Sequence, residues 1–196
     1  MSETEDRAWV QIQTPLTADD LRAWLKDPET LFRINSLLRI DAWEIAEGGT
    51  LHIRGLNLSN GRPLDTDAQP RPLKDGLRID WAEGLKRATS LTVEPSTDGS
   101  AALRITDDYS GIPLEERKAR IDEVDRSLPQ WGRDLHHFFH AWKRWSWFPL
   151  WRWYIHRVWL KMNPSGRRVT RWILWITLGE IALILAFTAI YTTASG

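Results

Sequence analysis

The chain has 196 residues, with 26 basic and 26 acidic side chains and no cysteine. That length allows one globular domain plus an anchor. The missing cysteines exclude disulfides, thiolate catalysis and Cys-ligated zinc, and they fit a reducing compartment. The neutral total hides a division. Residues 1–130 hold 17 basic and 24 acidic side chains, whereas residues 131–196 hold 9 and 2, together with 9 of the 13 tryptophans.

The opening MSETEDRAW has neither a basic n-region nor an apolar core, so no signal peptide is expected, and residues 1–8 read as a disordered leader. Trp9 to Gln13 alternates and predicts a short strand. Thr17 is the expected N-cap of a helix through Leu25, with Asp19 and Asp20 in its first turn. Asp27-Pro28 breaks the chain, and a second short helix is expected to Asn35. The period then changes. Leu38–Ala46 and Thr50–Leu58 read as strands joined by a turn at Glu47-Gly48-Gly49. Asn60–Lys74, with three prolines, reads as a long loop. Further strands are expected at Gly76–Trp81, Lys86–Glu94 and Ala101–Tyr109, giving an antiparallel meander of six strands in all.

Beyond Gly111 the pattern is helical. Leu114–Ser127 is polar, with sparse apolar positions at Leu114, Ile121, Val124 and Leu128. Ser127 is placed to cap a helix with Pro129 in its first turn. In that helix Trp131, Leu135, Phe138, Trp142 and Trp145 form one apolar stripe. After Pro149 a second stripe follows at Trp151, Ile155, Val158 and Met162. Pro164-Ser165-Gly166 reads as a hinge. Trp172–Ile190 then runs for 19 residues with Glu180 as its one ionisable side chain. A helix of that length spans about 30 Å, the thickness of a bilayer's hydrocarbon core. Arg167, Arg168 and Arg171 precede it, and Trp172, Trp175 and Tyr191 flank it, as basic and aromatic residues do at the cytoplasmic side and the interfaces. The expectation is a tail-anchored, single-pass protein with its N-terminal domain cytoplasmic.

Strand, two short helices, meander and long C-terminal helix follow one another here. Through ADDLRAWLKDPETLFRIN, LTVEPSTDGSAALRITDDYSG and the helix from Pro129, the chain resembles the START-like superfamily (SRPBCC; polyketide cyclase/dehydrase and lipid transport). The resemblance implies an α+β helix-grip fold, a curved antiparallel sheet around a long C-terminal helix. It also implies an apolar ligand held between the two. It covers about residues 9–147. A basic Trp-rich interfacial segment at 148–168, a transmembrane helix at 169–191 and a short tail at 192–196 lie outside it.

Several constellations bear on function. Neighbouring strand residues face opposite ways, so Asp107 and Asp108 cannot share one site. Asp107 falls on the face of Leu103, Ile105 and Tyr109, and with Leu135 and Phe138 of the helix these are the candidate cavity residues. The alternative for the two aspartates is a strand-end pair bonding nearby backbone. His136 and His140 lie one helical turn apart, yet no third ligand accompanies them. No metal and no cofactor are therefore expected, and the histidines read as a polar helix edge, partly protonated near an anionic membrane. The candidate membrane-interface residues are Trp142, Arg144, Trp145, Trp147, Trp151, Arg152, Trp153, Arg157 and Trp159. Their position just ahead of the span favours anionic lipid over nucleic acid as the partner. Glu180 is either a tolerated neutral acid or a contact with another membrane helix. No catalytic motif is present. The leading expectation is a membrane-tethered, non-enzymatic domain binding a lipid or quinone-like ligand. An accessory protein docking on a membrane complex and a cyclase/dehydratase-type enzyme are the alternatives.

Overall fold

The computed structural model describes residues 6–111, 113–119 and 126–194. Ile121 and Val124 lie outside the described residues. The chain divides into two units, residues 1–161 and 162–196.

The first unit carries a seven-stranded antiparallel sheet in the order β1-β7-β6-β5-β4-β3-β2. Its strands are β1 Arg7–Thr14, β2 Leu38–Ile45, β3 Leu51–Asn57, β4 Arg62–Leu73, β5 Gly76–Trp81, β6 Ala88–Pro95 and β7 Ala101–Asp108. β1 begins at Arg7, inside the stretch expected to be a leader. Two short helices, α1 Ala18–Trp24 and α2 Pro28–Ile34, link β1 to β2. Thr17 and Asp20 form a reciprocal capping box, each side chain bonded to the other's backbone N–H. Asp27 caps α2, its carboxylate accepting from the Thr30 amide and hydroxyl.

The long loop expected at Asn60–Lys74 is instead strand β4, and the strand count rises to seven. Its N-terminal half pairs with β3, from Arg62↔Asn57 to Ala68↔Leu51. Its C-terminal half pairs with β5, from Ala68↔Trp81 to Leu73↔Gly76. Each half therefore has one paired edge and one open edge. A proline whose nitrogen turns to the open edge costs no ladder bond, which is how Pro63, Pro70 and Pro72 fit in a strand.

After β7 come α3 Leu114–Ala119 and α4 Leu128–Trp145. Ser127 precedes α4, but its side chain makes no capping bond, contrary to expectation. Its hydroxyl accepts from the Asn35 amide at 3.0 Å instead. α4 lies along β1, where Gly132 lets the helix approach Val10 and Ile12. Those two strand residues pair with Ile105 and Leu103, so α4 covers the face of β7 that carries them. Ile12, Leu103, Ile105, Leu135 and Phe139 form the centre of the core. A curved antiparallel sheet with a long C-terminal helix against it is the α+β helix-grip arrangement. α5, Pro149–Tyr154, runs into a π-helical turn, Ile155–Trp159, and Ile155 and Leu160 join the same core.

The second unit is one helix, α6, Pro164–Ala194. Pro164-Ser165-Gly166 is its first turn rather than a hinge before it. The Asn163 side chain accepts from the Gly166 amide at 2.6 Å and so caps it. Residues 171–188 are all exposed. Pro164–Thr188 is long and apolar enough to cross a membrane.

Candidate functional site

A cavity of about 180 Å³ lies where α2, the start of α4 and the β3–β4 half of the sheet meet. Its walls are aromatic and aliphatic: Phe32, Leu38, Leu64, Trp81, Leu85, Tyr109 and Trp131. Phe32 is the hinge of this wall, its ring 4.7 Å from Trp131 and 5.7 Å from Trp81. Trp131 can be 2% exposed because its indole N–H donates to the Leu31 carbonyl at 2.9 Å. The mouth is polar. The β3–β4 hairpin supplies Asn57, Asn60 and Arg62, and the β5–β6 connection supplies Glu83, Gly84 and Lys86.

One polar chain runs from the cavity into the core. The Trp81 indole donates to the Thr89 hydroxyl at 3.0 Å, and Thr89 donates to Asp107 at 2.6 Å. The Lys86 ammonium donates to the other Asp107 oxygen at 3.1 Å and stands 5.8 Å from the Trp81 ring. Asp107 is 1% exposed, and donors such as Thr89 and Lys86 offset the cost of burying its charge.

Of the predicted cavity residues, Tyr109 lines the space and Asp107 reaches it through Lys86. Leu103, Ile105, Leu135 and Phe138 are buried in the core between sheet and helix, outside the lining. They hold the sheet against α4, which fills the centre of the fold and leaves the space at one end. Asp108 faces the other way, and its carboxylate accepts from the Ser110 amide at 2.9 Å. Burial pushes its pKa up, but the Ser110 hydroxyl and amide, with Arg7 and Arg78, outweigh that and hold it below the usual carboxylate value. Trp81 was legible as a sheet residue sharing a face with Leu77 and Ile79. Lys86, Asn35 and Arg62 carried no signal, because each depends on a contact between distant segments.

His136 bonds the Gln13 carbonyl through Nδ1 at 2.9 Å, and its ring lies 4.4 Å from that of His140. Among the described residues no group of three His, Asp or Glu side chains is placed to hold a metal. Burial, then the neighbouring His136 and His137, lowers the His140 pKa. That direction runs against partial protonation of this residue.

The Trp-rich segment divides in two. Trp142, Trp151 and Trp159 turn inward: Trp142 meets Trp24 at 4.8 Å and Trp151 at 5.7 Å, and Trp159 stacks on Phe138 at 6.0 Å. Trp145, Trp147 and Trp153 are exposed, Trp147 by 75%. Arg144, Arg152 and Arg157 are exposed as well, with the Arg144 guanidinium 5.3 Å from the Trp145 ring. Glu180 lies on the exposed stretch of α6.

No family model and no curated protein matches the chain. Solved structures do. The chain is similar to protein Ms6760 of Mycobacterium smegmatis, with a TM-score of 0.51 at 10% identity over 71% of this chain and 94% of that one. A START superfamily protein of the same organism matches at 0.49 and 13% identity, covering 69% and 97%. A Rhodobacter sphaeroides protein matches at 0.49 and 17%, covering 69% and 93%. At 10% identity the first likeness establishes a shared fold and nothing finer.

Proposed function

We propose that the chain is a membrane-tethered, START-like binding module for a small neutral ring-shaped ligand. The observation that carries this reading is the cavity itself, a space of about 180 Å³ walled by Phe32, Trp81, Tyr109 and Trp131. Drug-sized ligand sites run from about 300 to 1,000 Å³. A single ring system or a short chain fits, and a whole two-chain lipid does not. This narrows the lipid or quinone-like class to its quinone-like end. Charge argues the same way. Lys86 is matched by Asp107, and Arg62 and Glu83 share the mouth, so two cations face two carboxylates. A full anion gains little there, whereas a neutral ring bearing a carbonyl acceptor suits a wall that carries an ammonium. The apolar α6 supports tethering, and the arginines ahead of Trp172 support a cytoplasmic domain.

The test uses the full chain in mild detergent, with naphthoquinone and naphthoate as probes in native mass spectrometry. Naphthoquinone is expected to bind one to one and naphthoate more weakly. Leu64→Trp, which fills the cavity from its half-buried wall, is expected to lose binding while its circular dichroism is kept. No complex with naphthoquinone, or equal binding by Leu64→Trp, overturns the reading.

A further inference from the structure

The cavity and the exposed tryptophans lie at opposite ends of the first unit. β1 fixes the two ends, because it runs from Arg7 opposite Asp108 to Thr14 opposite Ala101. At the first end Tyr109, which follows Asp108, lines the cavity and donates its backbone N–H to Asp6 at 2.8 Å. The 57–62 hairpin and the 81–88 connection, which form the mouth, lie at that same end of the sheet. Pro15, just past the other end, shares a surface groove with His140, Lys143, Arg144 and Trp145. α4 spans the distance. Ser127 and Trp131 at its start touch the cavity, and Trp145 ends it 17 residues from Leu128, about 25 Å along the axis.

Beyond Trp145 the chain turns and exposes Trp147 by 75%, Phe148 by 43%, Leu150 by 63% and Trp153 by 57%. Four large apolar side chains within seven residues form a patch that a monomer in water does not ordinarily leave open. The occupant is indicated by charge and continuity. Residues 135–179 contain no Asp or Glu, while Lys143, Arg144, Arg152, Arg157 and Lys161 lie in the same stretch of chain and are exposed. α6, long and apolar enough to cross a membrane, follows in the chain from Pro164. Aromatic tips beside basic side chains suit the headgroup layer of an anionic bilayer.

We infer that the α4–α5 turn docks on an anionic bilayer surface and thereby points the cavity mouth away from the lipid, toward water. The tryptophan segment then does not hold the mouth at the interface. Ligand enters from the aqueous side, across the domain from the membrane. This deepens the binding reading and rests on it only for the word ligand, since the docking geometry stands without one.

The chain has no native cysteine, so single nitroxide labels can be placed on the full protein. Leu150→Cys and Trp147→Cys report the patch, and Glu83→Cys and Ala82→Cys report the mouth. All four positions are exposed, so the fold does not depend on them. The protein is reconstituted in vesicles of three parts phosphatidylcholine to one part phosphatidylglycerol. Labels at 147 and 150 are expected to gain oxygen accessibility severalfold over a water-soluble nickel chelate, and labels at 82 and 83 to remain open to the chelate. A mouth label shielded from nickel, or patch labels as water-accessible as the mouth, overturns the orientation. Labelling reads position and native mass spectrometry reads binding, so the two proposals fail separately.

Discussion

Asp107 is 1% exposed while the Lys86 side chain keeps 18%, so the two ends of this ion pair respond differently to removal. Lys86→Met removes the ammonium from a carboxylate that is 1% exposed, and is expected to cost about 3 kcal/mol of stability. Asp107→Asn removes the charge from the more buried partner and leaves the cation on the side chain that keeps 18% exposure, and it is expected to cost about half as much. Urea midpoints of the two variants measure the difference, and equal losses would mean that the pair is not asymmetric. His140 carries a second, pH-dependent consequence. Its folded pKa is lowered from the ordinary 6.5 by burial and by His136 and His137, so the unfolded chain binds the proton more readily. The stability it contributes is complete above that ordinary value and declines as the pH falls below it. His140→Gln is expected to flatten this part of the stability profile, with no change at neutral pH.

At the scale of elements, most of the meander was legible because alternation and turn glycines are local signals. Gly48 and Gly49, with φ of 79° and 81°, turn β2 into β3 where Glu47-Gly48-Gly49 was expected to. The α1 cap was equally local. β4 was missed because its prolines are tolerated through pairing with a different partner on each half, a property of the sheet and not of the segment. Of the expected cavity residues Tyr109 lines the space, whereas Leu103, Ile105, Leu135 and Phe138 lie in the core, because how far α4 packs into the sheet is not a local signal. The α4–β1 contact makes a further prediction. A Cβ on Gly132 would meet the Val10 methyl groups at 3.0 and 3.1 Å. Gly132→Ala gains about 1 kcal/mol of helix propensity but loses about 1–3 kcal/mol to overpacking. It is expected to destabilise the native chain and to stabilise the Val10→Ala background, where that crowding is relieved. Melting of the two pairs of proteins checks the change of sign.

At the scale of the whole molecule, charge is arranged rather than accumulated. Residues 1–161, the first unit, hold 23 basic and 25 acidic side chains, a net charge of −2. On total charge alone this unit should avoid an anionic surface. Residues 1–134 hold 18 basic and 25 acidic side chains, whereas residues 135–161, which carry the exposed tryptophans, hold five basic side chains and no acidic one. A 1–161 fragment, lacking α6, is therefore expected to float with anionic vesicles at low salt and to be released as salt rises. The Debye length falls from about 10 Å at 0.1 M to about 3 Å at 1 M, so the attraction loses its reach while the apolar contact remains. Each basic side chain near such a surface contributes about 1 kcal/mol, so Lys143→Gln with Arg144→Gln should weaken binding by about 2 kcal/mol, roughly thirtyfold. The same two changes on neutral vesicles should have little effect. Flotation that ignores both salt and these substitutions would assign the docking to the apolar tip alone. A fragment that stays in solution under every condition would assign all membrane attachment to α6.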